Sequence, residues 1–121
     1  MAKRVLIVDD ALIMRKRIRD IAERSGWEVA GEASNGEEAV ALYQEVSPDL
    51  VTLDIVMPKM DGVTTLKEVM ATDPAARVVM VSAVDQREKL TECIRHGAVD
   101  FIVKPFDADR LQKFFGRYLA S

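Results

Sequence analysis

Four short runs free of charge, Val5–Val8, Leu50–Leu53, Val78–Val81 and Phe101–Val103, set the terms on which this chain can fold. Each is apolar nearly throughout and rich in β-branched residues, which reads as a strand buried on both faces of a parallel sheet. Parallel neighbours cannot be joined by a tight turn and need a crossover. The segments between the runs supply one each time, with apolar residues at helical spacing. Leu12 to Arg24 carries Met14, Ile18, Ile21 and Ala22, interleaved with Arg15, Lys16, Arg17 and Arg19, and stops at Ser25-Gly26. Trp27 to Ala33 alternates and holds a glycine, which suits an edge strand. Asn35 is the expected N-cap of a helix with Glu37 and Glu38 in its first turn, where the dipole favours acids, and a narrow face of Ala39, Val40 and Tyr43. Val63, Leu66, Val69 and Met70 mark a helix after Gly62 that breaks at Asp73-Pro74. Leu90, Cys93 and Ile94 mark another, stopped by Gly97. A last helix starts at Asp107 or Asp109 and presents Leu111, Phe114, Phe115 and Leu119. Strand and helix alternate five times with no repeat and no linker, so residues 1–121 are expected to form one domain, a parallel sheet covered on both faces.

Charge and cysteine content narrow the function. A net charge of -3 over 121 residues speaks against nucleic acid as a direct partner, because phosphate backbones require a basic surface. One cysteine makes no internal disulfide, so the fold does not depend on an oxidising compartment. The apolar run after Met1-Ala2-Lys3-Arg4 is too short for a signal sequence or a membrane span, and a bacterial cytoplasmic location is expected.

Chemistry gathers at the strand ends. The first run ends on Asp9-Asp10, the third strand on Asp54, the fourth on Ser82 and the fifth on Lys104. In a parallel sheet these ends share one edge, where open α/β sheets bind ligands. Three carboxylates held close repel one another unless relieved. A hard divalent cation, Mg²⁺, takes oxygen ligands and keeps several waters, and a lysine adds a positive point charge. This is equipment for phosphoryl transfer to a carboxylate. Asp54 would attack phosphorus, while Lys104 and the ion neutralise the equatorial oxygens and Ser82 hydrogen-bonds the transferred group. The donor must come from outside, since the chain has no Gly-rich nucleotide loop.

Four motifs carry a resemblance. Val8-Asp9-Asp10, Leu53-Asp54-x-x-Met57-Pro58-x-Met60-Asp61-Gly62, Val81-Ser82-Ala83 and Phe101-Ile102-Val103-Lys104-Pro105-Phe106 occur in this order and span the chain. Together they resemble the receiver domain of two-component response regulators, nearest to the single-domain regulators of chemotaxis. The resemblance implies a flavodoxin-like (βα)5 fold with strand order 2-1-3-4-5. It implies that a histidine kinase phosphorylates Asp54, and that Asp9, Asp10, Asp54 and the carbonyl of Val56 hold Mg²⁺. Ser82 and Lys104 would engage the phosphoryl group, and Phe101 matches the switch aromatic. The Lys104–Pro105 bond is expected to be cis. The partners implied are the kinase and a downstream protein on the face of the fourth helix, fifth strand and fifth helix, with the chain a monomer free of membrane and nucleic acid. No output domain is expected after the final helix. Two departures stand out: chemotaxis members typically carry tyrosine where this chain has Phe101, and Val56 and Val84 are apolar at positions that influence how water reaches the acyl phosphate.

Plainer readings compete at several positions. Asp9-Asp10 and Ser82 are each also explained as helix caps, and Lys104 as a solvated lysine before a turn. Asp61-Gly62 reads as a turn and helix start. His96 suits a helix C-terminus, and Cys93 is a small core residue. Met57 and Met60 are expected to pack. The function expected is a phosphorylation-activated binding switch in chemotaxis or motility control, not an enzyme beyond its own phosphorylation and slow dephosphorylation. Alternatives are a phosphorelay intermediate serving a histidine phosphotransfer protein and a receiver excised from a larger regulator. An aspartyl-phosphate phosphatase would want a second acid where Val56 stands. A flavin carrier would want a hydroxyl-rich loop where Asp9-Asp10-Ala11-Leu12 repels phosphate.

Overall fold

The computed structural model describes residues 2–120, apart from the side chain of Val84, so the expectation attached to Val84 lies outside the described residues. Among these, the elements follow in the order β1 (Arg4–Val8), α1 (Leu12–Arg24), β2 (Glu28–Ala33), α2 (Gly36–Val46), β3 (Leu50–Asp54), α3 (Gly62–Thr72), β4 (Val78–Ala83), a 3-10 turn (Val84–Gln86), α4 (Arg87–Arg95), β5 (Asp100–Lys104) and α5 (Ala108–Leu119). All strand pairs are parallel and the sheet order is β2-β1-β3-β4-β5.

The central strands are buried on both faces because both faces carry a core. Leu6, Val8, Val51, Leu53, Val78 and Met80 pack with Ala39 and Tyr43 of α2, Leu66 and Val69 of α3, and Leu90 and Cys93 of α4. Val5, Ile7, Leu50, Val79, Val81 and Ile102 pack with Ile18 and Ile21 of α1 and Leu111, Phe114 and Phe115 of α5. Each fully buried aliphatic side chain contributes about 1.5–3 kcal/mol. Trp27 lies just outside β2, not within it. It is 4% exposed, and its indole N–H donates to the Phe115 carbonyl at 3.0 Å, which ties the start of the edge strand to α5.

Side-chain caps set three helix starts. Asn35 accepts from the Glu38 N–H, Asp61 from the Thr64 N–H and Asp107 from the Arg110 N–H, so α5 begins at the first of the two aspartates considered. Ser82 caps nothing, because β4 runs through it to Ala83. The apolar stripes are narrower than their spacing suggests. Ile94 is 43% exposed and Leu119 36%, since each sits at the rim of its helix's buried face. Met57 is buried and Met60 half-buried, Cys93 is fully buried, and His96 is exposed at the end of α4. The Lys104–Pro105 bond is cis.

Candidate functional site

Alternation along the strands decides which groups can meet. Asp9 follows Val5 and Ile7, Asp54 follows Leu50, and Lys104 follows Ile102, all residues of the α1–α5 side of the sheet. The three therefore arrive on one side at the C-terminal edge. The Lys104 ammonium donates to Asp9 Oδ2 at 2.8 Å and lies 3.5 Å from Asp54 Oδ2. Asp9, Asp10 and Asp54 each place a carboxylate oxygen within 4.8 Å of the others.

Burial sharpens the electrostatics. Asp9 is 1% exposed and Asp54 8%, whereas Asp10 is open to solvent. Burial pushes the Asp54 carboxyl up to about 6, opposed by the Lys104 ammonium and the Ile55 N–H, and reinforced by Asp9 and Asp10. For Lys104, burial works to lower the pKa. The bond to Asp9 and the charges of Asp54 and Asp9 outweigh it, so the net direction is up and the lysine stays charged. The cluster thus sets three acids against the single ammonium of Lys104, which pairs with the carboxylates of Asp9 and Asp54. Hard oxygen donors converging on one point, with one carboxylate open to water, are a donor set that suits Mg²⁺.

Asp9 is fixed at each of its polar groups. Its N–H donates to the Ala33 carbonyl at 3.1 Å, and its Oδ1 accepts from the Ala11 N–H at 2.9 Å. Its Oδ2 takes Lys104, and its carbonyl takes the Arg15 guanidinium at 2.7 Å. On the other side of α1, Arg17 donates to the Phe106 carbonyl at 2.8 Å and stands 5.1 Å over the Phe106 ring, holding the loop after Lys104. Periodicity placed both arginines on a polar helix face and said nothing of these contacts.

The loop after Asp54 is anchored by close approach. Asp54 Oδ1 accepts from the Ile55 N–H at 2.8 Å, and the Gly62 N–H donates to the Ile55 carbonyl at 2.6 Å. A β-carbon on Gly62 would overlap the Asp54 carbonyl oxygen. Gly62 is thus required by the backbone that carries Asp54, which extends its reading as a turn residue. Val56 is 56% exposed in this loop.

Ser82 and Phe101 belong to the opposite side. Ser82 follows Val78 and Met80, and Phe101 and Val103 pair with Met80 and Ser82. The Ser82 hydroxyl is 1% exposed and, among the described residues, has no hydrogen-bond partner, so it is not joined to the acidic cluster in this structure. A cavity of about 330 Å³ lies between β5 and α4, lined by Ser82, Leu90, Ile94, Phe101 and Val103 among others. Phe101 is 42% exposed beside it.

The response regulator receiver domain matches residues 5–115. The chemotaxis protein CheY of Bacillus subtilis is 53% identical over 98% of this chain and 99% of its own length. The CheY of Thermotoga maritima is 53% identical over 92% of each chain. Among solved structures, a CheX–CheY–BeF3–Mg²⁺ complex from Borrelia burgdorferi is similar at a TM-score of 0.88 and 42% identity, over 92% of this chain and 84% of that one.

Proposed function

The chain belongs to the response regulator receiver family, and from that premise we propose that it is a switch whose partner-binding face is set by phosphorylation of Asp54. The phosphodonor is a histidine kinase, and the setting is chemotaxis or motility control, as in the chemotaxis relatives that cover the chain almost end to end. The observation that carries the proposal is the approach of Lys104 to both Asp9 and Asp54 beside the open Asp10.

Asp54 supplies the nucleophile. One of its oxygens forms a bond to phosphorus as the bond from phosphorus to the donor's imidazole nitrogen breaks, and that nitrogen leaves with the electron pair. With a pKa of about 6, Asp54 is mostly ionised at neutral pH, as attack requires. Lys104 balances charge on the transferred group. Asp9, Asp10, Asp54 and the Val56 carbonyl would hold Mg²⁺, which supplies charge neutralisation around the phosphoryl oxygens when bound. The solved relative containing both BeF3 and Mg²⁺ supports this reading. Ser82, with a free hydroxyl at the end of β4, turns to bond the phosphoryl group, and Phe101 moves into the cavity at its back. The face made by α4, β5 and α5 then changes shape for a downstream partner. The chain acts as a binding switch without an external substrate of its own.

The test is incubation with a small phosphodonor and Mg²⁺ followed by intact mass. One phosphoryl group should be gained, and Asp54→Asn should gain none. A mutant still labelled at the wild-type rate would remove Asp54 as the acceptor.

A further inference from the structure

The β1–α1 loop is gripped from behind by a side chain that the phosphorylation chemistry does not use. Arg15 is only 15% exposed and its guanidinium is divided between two acceptors. Nη1 donates to the Asp9 carbonyl at 2.7 Å, and Nε donates to Glu32 Oε1 at 3.1 Å on β2. The other Glu32 oxygen, Oε2, is taken by Arg19 at 2.7 Å. Glu32 is thus bound on both oxygens and cannot swing away without breaking two ion pairs, so it is a fixed point on the sheet.

The Asp9 carbonyl belongs to the peptide unit that joins Asp9 to Asp10. That unit is planar, so fixing its oxygen fixes the plane from which the Asp10 backbone departs. The Asp9 N–H and carboxylate are already held by Ala33, Ala11 and Lys104. The bond from Arg15 holds the carbonyl of the following peptide, and Asp10 is the exposed member of the acidic cluster. Resting on the proposed Mg²⁺-dependent phosphorylation, we infer that Arg15, braced by Glu32, is a positioning residue that presents the Asp10 carboxylate to the metal.

Charge and geometry act in opposite directions here, which makes the inference separable. Arg15 is a cation near a cation site, so removing its charge favours Mg²⁺, while removing its geometry disfavours it. Arg15→Lys keeps the charge, but one ammonium cannot reproduce the planar fork that serves two acceptors. Glu32→Gln keeps Arg15 and weakens the brace.

The experiment is calorimetric titration of unphosphorylated protein with Mg²⁺, paired with the Mg²⁺ dependence of phosphorylation by a small phosphodonor. Both are run well below the melting temperature of each variant. Arg15→Lys should weaken Mg²⁺ affinity by about tenfold, in the range found when groups that orient a metal ligand are lost. Glu32→Gln should weaken it less. In both, the Mg²⁺ concentration for half-maximal phosphorylation should rise while the rate at saturating Mg²⁺ stays near wild type. Glu23→Gln, which alters only the outer pair with Arg19, should leave Mg²⁺ affinity unchanged. A lower melting temperature with unchanged Mg²⁺ affinity in Arg15→Lys and Glu32→Gln would reduce the network to a stability element and overturn the inference. If the wild-type protein itself bound no Mg²⁺ and took no phosphate, the phosphorylation reading would fall, and this inference with it.

Discussion

Gly62 lies so tightly over Asp54 that a β-carbon there would overlap the Asp54 carbonyl oxygen and stand 2.7 Å from Ile55 Cα. Both obstacles are backbone, so no rotamer change relieves them. Gly62→Ala is expected to lower stability by roughly 3 kcal/mol, in the manner of an overpacked core, and to displace Asp54. A β-carbon on Gly116, in the interior of α5, would meet no atom of the other described residues within 4 Å beyond its own helix backbone. Gly116→Ala should instead stabilise by about 0.5–1 kcal/mol through helix propensity. Urea denaturation of the two variants checks both signs, and equal effects would refute the contrast.

Asp54 makes metal-free stability depend on pH in an unusual direction. Burial raises its pKa from 3.8 to about 6, so the native state binds the proton more tightly than the unfolded chain does. The stability this group contributes is complete below its unfolded pKa and is lost as pH rises through the folded value. Two units correspond to about 3 kcal/mol as an order of magnitude. Asp54→Asn should therefore be more stable than wild type at pH 7.5 without metal, with the advantage shrinking toward pH 4. Melting curves in chelator across that range provide the check, and a mutant less stable at pH 7.5 would contradict it.

Asp10 adds repulsion from the open side of the cluster. Removing one of three carboxylates that approach within 4.8 Å should raise the metal-free melting temperature, most at low ionic strength. The same change removes one of the carboxylates proposed to hold Mg²⁺, so the stabilisation given by added Mg²⁺ should fall. Differential scanning fluorimetry of Asp10→Ala with and without Mg²⁺ reads both effects. An unchanged or lower metal-free melting temperature would argue against a crowded acidic site.

Thr52, 1% exposed on the central strand, buries a hydroxyl with no hydrogen-bond partner among the described residues. An unsatisfied buried hydroxyl costs about 1–3 kcal/mol. Thr52→Val, which keeps the branched shape, should raise stability by about 1 kcal/mol and leave phosphorylation intact. A loss of stability would mean that the hydroxyl is bonded in solution.

Ser82→Ala should still accept phosphate but lose most of the difference in partner affinity between the free and beryllofluoride-treated states. Phe101→Ala should lose it too, because the ring and the hydroxyl line one cavity. Wild-type affinity ratios in both variants would exclude this route while leaving Asp54 as acceptor.

Much of this molecule is legible in the residues because strand burial and helix periodicity are local. The charge-free runs Val5–Val8 and Val78–Val81 read as double-faced strands, and Asp9, Asp54 and Lys104 stand at strand ends by simple succession. Caps such as Asn35 and Asp61 are likewise local, since the acceptor reaches only three residues along the chain. The sheet order came from resemblance, because propensity does not say which strands are neighbours. What the sequence alone could not decide depended on distance across the fold. Ile94 and Leu119 fit their helical stripes but end at the rim, where the facing element has run out. The two sides of the sheet separate Ser82 and Phe101 from the acidic cluster, a matter of pleat and register. Arg15 reaches the Asp9 carbonyl and Glu32 only because β1, α1 and β2 converge there, and Arg17 reaches Phe106 across 89 residues of chain. A polar helix face looks the same in sequence whether its arginines meet water or the backbone of the site; the packing of neighbouring elements decides between them.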